Sequence, residues 1–121
     1  MSGSFEQFPV YKKSKDIVCK IELLCRKITG KEFYFIKDQI RRAAASLVLN
    51  IAEGSGKWTK KDKANFYRIS RGSAFECIAA LDLFLLYKLC NKEDTELLKN
   101  DFNKIVGELQ ALIKSVEGRE K

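Results

Sequence analysis

The stretch that decides the fold runs from Asp38 to Gly54 and reads DQIRRAAASLVLNIAEG. If it is helical, an apolar residue returns to the same face at every step of three or four. The residues on this face form an apolar stripe. It consists of Ile36, which precedes the quoted stretch, and of Ile40, Ala43, Leu47 and Ile51. The sequence therefore predicts an amphipathic helix that packs one face into a core.

A polar row borders this apolar stripe, and we expect it to form a polar seam against another helix or another subunit. The row is Gln39, Arg42, Ser46, Asn50 and Glu53. The principal members of the seam are expected to be Arg42, Asn50 and Glu53 of this helix and Gly72, Ser73 and Glu76 of a later one. We interpret Glu53 beside Arg42, and Glu76 beside Arg68 or Arg71, as carboxylates that anchor arginines. The alternative is an acid–base pair.

Helical periodicity covers nearly the whole chain of 121 residues. We predict helices over residues 10–29, 35–55, 60–89 and 93–117, with a mobile lead at 1–9 and a charged tail at 118–121. Gly54 and Gly56 are expected to end the second helix, and Thr59 to cap the third. The last helix has the most regular heptad pattern, with Leu98, Phe102, Ile105, Leu109, Leu112 and Val116. Four helices joined by short turns predict a single all-α domain, an antiparallel up-down four-helix bundle.

The third predicted helix is apolar on two sides. Its expected inner line is Phe66, Ser70, Ser73, Cys77, Leu81 and Phe84. A second apolar set consists of Phe75, Ile78, Leu85, Leu86 and Leu89. Because one bundle core covers only one side of a helix, the second set predicts an oligomer interface and hence a homo-oligomer. Gly72 is expected to admit a neighbouring backbone or arginine side chain at a tight crossing.

The positive charge of the chain lies in its first half and favours an anionic partner, of which nucleic acid is the commonest. Residues 1–71 hold sixteen Lys and Arg against seven Asp and Glu, whereas residues 72–121 hold seven against nine. The candidate phosphate-binding residues are Arg41, Lys57, Lys60, Lys61, Lys63, Arg68 and Arg71. Trp58 lies among them, and its indole either stacks on a base or packs over the bundle end. The alternative for the lysines is that they only keep the protein soluble.

The composition gives little support for catalysis, metal binding or a membrane location. The chain has no histidine, so it lacks the ordinary general base near neutral pH and any histidine-based metal site. Its cysteines, Cys19, Cys25, Cys77 and Cys90, form no CxxC pair and are expected to be reduced. The longest apolar run, 78–89, contains two charged residues, and we find no secretory signal. We therefore predict a cytoplasmic protein that is not an enzyme and has no cofactor.

Two strings of the sequence resemble a known family. QIRRAAASLVLNIAEGSGKWTKKD and FYRISRGSAFE are similar to signatures of the 23S rRNA intervening-sequence-encoded proteins. These proteins form a four-helix-bundle family related to the accessory proteins of diversity-generating retroelements. The positions that match the signature are Arg41, Arg42, Asn50, Glu53, Gly54, Gly72, Ser73 and Glu76. The sequence departs from the pattern after Gly54, where Lys57 is followed by Trp58 and a lysine-rich helix start.

The resemblance implies a homopentamer shaped like a barrel with a central channel. It also suggests partners, since the retroelement relatives bind a reverse transcriptase and nucleic acid through a basic exterior. Our first hypothesis is a non-catalytic homo-oligomer that binds RNA or DNA through phosphate contacts, without reading base edges. The second is a protein-interaction scaffold that docks a nucleic-acid-associated partner such as a polymerase.

Overall fold

The computed structural model describes residues 4–118. Its helices are α1 (Pro9–Lys27), α2 (Tyr34–Ser55), α3 (Lys60–Leu86) and α4 (Lys92–Gly118), with short 3₁₀ turns at Phe5–Gln7 and Lys31–Phe33. This part of the chain contains no strand, and none of its helices is both long and apolar enough to cross a membrane. The predicted all-α class and the four predicted helices are confirmed, with ends that differ by at most three residues.

Neighbouring helices run in opposite directions. Between α1 and α4, Lys13 pairs with Glu108 at 2.6 Å and Lys20 pairs with Asp101 at 3.1 Å, so residue numbers rise on one helix as they fall on the other. The contacts between α1 and α2, between α2 and α3, and between α3 and α4 show the same antiparallel order of residue numbers. The helices therefore form an up-down bundle, closed by the contact between α1 and α4.

The core lies along the bundle axis and takes one face from each helix. Its largest fully buried side chains include Phe84, Phe102, Ile17, Ile21, Ile40, Leu47, Ile51, Leu81, Ile105 and Leu109. The apolar stripe predicted for α2 is buried along its whole length. Burial of each isoleucine or leucine of the stripe contributes about 1.5–3 kcal/mol, so this stripe fixes the orientation of α2 in the bundle.

On α3 the predicted inner line is correct except at its first position. Phe66, expected there, is only partly buried, whereas Tyr67 is 2% exposed. The Tyr67 hydroxyl lies 3.0 Å from Ser55 Oγ, so the buried phenol keeps a hydrogen-bond partner. A tyrosine with such a partner can bury its ring without leaving its hydroxyl unsatisfied.

The close approach of α2 and α3 occurs at Gly54, and the expectation of a tight crossing at Gly72 is wrong for the subunit. Gly54 does not end α2 but lies buried inside it. A Cβ added at Gly54 would come within 2.9 Å of the Tyr67 ring and 3.0 Å of Phe66 Cβ. A Cβ added at Gly72 would meet nothing within 4 Å, because Gly72 lies on the outer side of α3.

The starts of α3 and α4 are capped by side chains. Thr59 Oγ1 accepts the Asp62 N–H at 3.0 Å and caps α3 as predicted. Asn91 Oδ1 accepts the Asp94 N–H at 2.7 Å where α4 begins. These bonds satisfy N–H groups that have no partner within the helix, and they fix where each turn ends.

Residues 4–8, part of the lead that we expected to be mobile, contact the bundle. Phe5 packs edge-on against Tyr11 with ring centroids 4.9 Å apart, and Phe8 packs against the core. These ring contacts hold residues 4–8 against α1 and the core. Residues 1–3, and residues 119–121 of the predicted tail, lie outside the described part of the chain.

Candidate nucleic-acid interface

One end of the bundle carries most of the predicted phosphate-binding residues. At this end α2 stops and α3 begins, and the antiparallel order places the start of α1 and the end of α4 there as well. Residues 53–71 hold six Lys and Arg against two Asp and Glu. We call this region the basic end, and it comprises Lys57, Trp58, Lys60, Lys61, Lys63, Arg68, Arg71 and, from α4, Lys114.

Trp58 extends from the turn between α2 and α3 into solvent. Its exposed fraction is 97%, against 71% for Leu86, the next most exposed of the large apolar residues. Of the two alternatives for Trp58, packing over the end of the bundle does not occur within the subunit. The indole is therefore available to a ligand or to another chain.

Two lysines of the turn have structural partners. Lys57 Nζ lies 3.0 Å from Glu53 Oε2 and 4.9 Å from the centre of the Phe66 ring. Lys63 Nζ donates to the Ser55 carbonyl at 2.9 Å, at the end of α2, where a cation satisfies a carbonyl without a helical partner. Both lysines therefore stabilise the conformation of the turn.

The remaining basic residues of α3 share one side of the helix. Lys61 and Arg68 are seven residues apart, and Lys60 and Arg71 are eleven apart. At 3.6 residues per turn, the two members of each pair lie on nearly the same side of the helix. Lys61 is exposed and forms no ion pair within residues 4–118, whereas Lys60 is partly buried. The positive end of the α3 helix dipole adds to their potential at the first turn.

A groove between α3 and α4 continues the basic end. It has a volume of about 660 Å³ and is lined by Arg68, Arg71, Gln110, Ala111, Ile113, Lys114 and Glu117. Arg68 forms an ion pair with Glu117 across the groove. Gln110 and Lys114 are not among the predicted site residues, because the heptad pattern of α4 indicates only the buried side of that helix. Their four-residue spacing on the polar side of that pattern is the signal that identifies them.

Arg41 does not join the other predicted phosphate-binding residues. It lies fourteen residues before the end of α2, about 20 Å along the helix axis. Its guanidinium donates to both carboxylate oxygens of Glu22 on α1, at 2.8 Å from Nε and 2.9 Å from Nη2. Together with Arg26, this guanidinium holds the pKa of Glu22 below its usual value. Arg41 therefore links α1 to α2.

The predicted polar seam between α2 and α3 is present around Ser46. Ser73 Oγ donates to Ser46 Oγ at 2.8 Å, and Asn50 Nδ2 donates to the same oxygen at 3.0 Å and to the Ser46 carbonyl at 2.8 Å. Farther along, Gln39 donates to Glu76, which therefore bonds to α2 and not to an arginine. The seam therefore stabilises the contact between α2 and α3, the two helices that are joined by the turn at the basic end.

The expected pairing of Arg42 with Glu53 is wrong. Arg42 pairs with Asp38 on α2, and Glu53 pairs with Lys57 of the turn that follows α2, each at 3.0 Å and four residues away. Arg42 and Glu53 are about 16 Å apart along the helix axis, which is too far for direct contact. Glu76 bonds beside the start of α2 and Glu53 lies near its end, so the two carboxylates do not form an acid–base pair.

The residues predicted for the oligomer interface divide between the subunit core and its surface. Phe75 and Leu86 are 48% and 71% exposed. Ile78 and Leu89 pack partly against the subunit's own core, and Leu85 is partly buried. The apolar surface that α3 leaves exposed, called the outer face below, consists of Ile69, Gly72, Phe75, Ala79, Leu83 and Leu86.

The fold and these residues define a small four-helix bundle with one basic end. The family of 23S rRNA-intervening sequence proteins matches residues 6–111, and the chain belongs to this family. Among solved structures, the chain is similar to a crystal structure of a protein with unknown function from the S23 ribosomal protein family of Bacteroides thetaiotaomicron VPI-5482. The two chains are 25% identical with a TM-score of 0.81, over 87% of this chain and 98% of the other. A comparison with curated proteins found no match.

Proposed function

We propose that this protein binds RNA or DNA through phosphate contacts at its basic end, as a homo-oligomer and without catalysing a reaction. The observation that carries the proposal is a 97% exposed indole at the same end of the bundle as a groove that is lined by Lys and Arg side chains from two helices. Lysine and arginine neutralise phosphates and release counterions, which gives affinity without sequence preference. Trp58 adds an apolar surface of the kind that stacks on bases.

The test is a salt titration of RNA and DNA binding with two double variants. Lys61→Gln with Lys114→Gln removes two basic-end charges that have no structural partner in the described chain, whereas Lys63 is left intact because it caps α2. The control, Lys31→Gln with Lys92→Gln, removes the same charge at the opposite end of the bundle. Both pairs are exposed, so folding is expected to survive.

We expect the basic-end double variant to bind about tenfold more weakly at moderate salt. Its slope of log affinity against log salt should be less steep by about two, one for each phosphate that the variant no longer neutralises. The control should keep the slope of the unmodified protein. No binding at low salt would overturn the proposal. Equal reductions of affinity in both double variants would instead mean that only the net charge matters.

Self-association is the second part of the proposal, and the outer face of α3 supports it. Phe75 and Leu86 are large apolar side chains that monomers seldom leave together on one surface. Burying each one contributes about 1.5–3 kcal/mol. Light scattering should give a multiple of the 13.9 kDa subunit mass, with five subunits expected from the family resemblance. Phe75→Glu with Leu86→Glu should yield monomers, whereas a monomeric unmodified protein at micromolar concentration would contradict this part.

The outer face also suits the alternative function, a scaffold that docks a nucleic-acid-associated protein such as a polymerase. The same experiments separate the two functions. A protein that stays monomeric and binds neither RNA nor DNA at low salt would favour the scaffold, because its apolar outer face would then need a different protein to cover it.

A further inference from the structure

We propose that the basic end prefers single-stranded nucleic acid to a duplex, with Trp58 stacked on an unpaired base. This inference rests on the proposed function and names its substrate class. It starts from the indole, which is 97% exposed at the tip of the α2–α3 turn. Inside a duplex both faces of a base are covered by neighbouring bases, so a flat side chain finds a free base face in a single strand, in a loop or at a duplex end.

The turn that carries Trp58 is held in place on both sides. Before it, Lys57 is fixed by Glu53 and by the Phe66 ring. After it, the Thr59 hydroxyl caps α3. The indole is thus presented from an ordered turn, and a base that stacks on it need not first order the backbone.

The phosphates of the same strand have a path along α3. Lys60 and Lys61 lie two and three residues after the tryptophan, at the start of α3. Arg68 and Arg71 lie farther along the same side of the helix, where the groove to α4 adds Lys114. From residue 58 to residue 71 the helix rise gives a length of about 20 Å. At the roughly 3.4 Å spacing of a stacked strand, that length corresponds to about six nucleotides. A single strand of this length contacts the indole and the groove together.

Trp58 is the chain's one tryptophan, so its fluorescence reports on this position in every subunit. We would titrate the full chain with single strands of RNA and DNA, each about twice the length of the path, and with the corresponding duplexes at equal salt. We expect single strands to quench the emission and to bind about tenfold more tightly than duplexes. Comparison of the RNA and DNA arms shows which backbone is favoured.

Two variants assign the preference to the indole, with binding followed by the anisotropy of a labelled oligonucleotide. Trp58→Ala should lose the tenfold preference while keeping its duplex affinity and its salt slope, since the phosphate contacts remain. Trp58→Phe should keep part of the preference, because a smaller ring still stacks. Thermal unfolding should match that of the unmodified protein, since the indole makes little contact with the bundle.

The outcomes separate this inference from the proposed function. Equal or tighter binding of duplexes, or an unchanged preference in Trp58→Ala, would overturn the single-strand inference and leave phosphate binding intact. Failure to bind either form at low salt would overturn both.

Discussion

Lys88 ends α3 in a backbone conformation that lysine rarely adopts. Its φ is 63°, and no other residue besides glycine within residues 4–118 has a positive φ. The Leu89 N–H donates to the Phe84 carbonyl at 2.8 Å, and the Lys88 N–H donates to the Leu85 carbonyl at 3.0 Å. These two bonds form a Schellman motif, in which glycine usually takes the position of Lys88.

Lys88→Gly should therefore stabilise the protein. The left-handed conformation costs a residue with a Cβ about 1–2 kcal/mol, which glycine avoids. Because glycine also gives the unfolded chain more freedom, we expect a net gain of about 1 kcal/mol in the free energy of unfolding. Urea denaturation measures it, and Lys88→Ala is the control, since alanine keeps the Cβ and should change little. An equal gain from alanine would assign the effect to the lysine side chain.

Two glycines of the α2–α3 pair should respond to alanine with opposite signs. At Gly54 the new methyl group meets the Tyr67 ring, and overpacking of this kind costs about 1–3 kcal/mol. At Gly72 it meets nothing within the subunit, and alanine in a helix is about 1 kcal/mol better than glycine. The same urea series should show a loss of stability for Gly54→Ala and a gain for Gly72→Ala. A gain at Gly72 would place this glycine outside the proposed subunit contact, whereas a loss would indicate that a partner chain packs against it.

At the scale of the helices, the sequence predicts the elements well and their partners poorly. The apolar stripe of α2 and the cap at Thr59 depend on residues a few positions apart, so local spacing reveals them. The Arg41–Glu22 contact joins residues nineteen positions apart on different helices, and no local pattern encodes it. The choice of Tyr67 over Phe66 for the core likewise depends on packing across the α2–α3 contact.

Burial of titratable groups in the helix interfaces should make the bundle unstable in alkali. Burial raises the pKa of the Cys77 thiol to about 12 and also raises the pKa values of Cys25 and Tyr67. The unfolded chain ionises near the ordinary thiol value of 9.0. Above that pH the unfolded state releases protons that the folded state retains, so the free energy of unfolding falls as pH rises. For Cys77 the window extends from pH 9.0 to about 12.

Cysteine variants test the contribution of Cys77. Cys77→Ala should make the fall between about pH 9 and 11 less steep by up to about 1.4 kcal/mol per pH unit, the linkage of one proton. Its lower stability at neutral pH, caused by removal of the thiol, does not affect this slope. Cys19→Ala removes an exposed thiol and is the control. Equal slopes in both variants would contradict the role of burial.

At the scale of the whole molecule, the candidate site is only partly local in sequence. Trp58 and the lysines of the turn are close along the chain, and the charge pattern of the first half locates them. Lys114 reaches the same end only because α4 runs antiparallel to α3 and finishes beside its start. The sequence therefore reveals the part of the basic end that lies on α3. The groove between α3 and α4 can be identified only from the packed bundle.

The groove also contains an acidic residue that competes with its proposed ligand. Glu117 pairs with Arg68, so a phosphate that binds this guanidinium must first displace a carboxylate. Glu117→Gln removes the competitor and frees one cation. Because the pair is partly exposed, its removal should change the free energy of unfolding by at most about 1 kcal/mol.

Glu117→Gln should bind single-stranded RNA or DNA about three- to tenfold more tightly, with a salt slope steeper by up to about one, since Arg68 then adds a phosphate contact. Glu108→Gln is the matched control. It removes the same charge from α4, but Glu108 pairs with Lys13 of α1, outside the groove. Oligonucleotide anisotropy over a salt series measures both variants. If Glu108→Gln raises the affinity equally, the gain comes from net charge, and the groove is not where the phosphate binds.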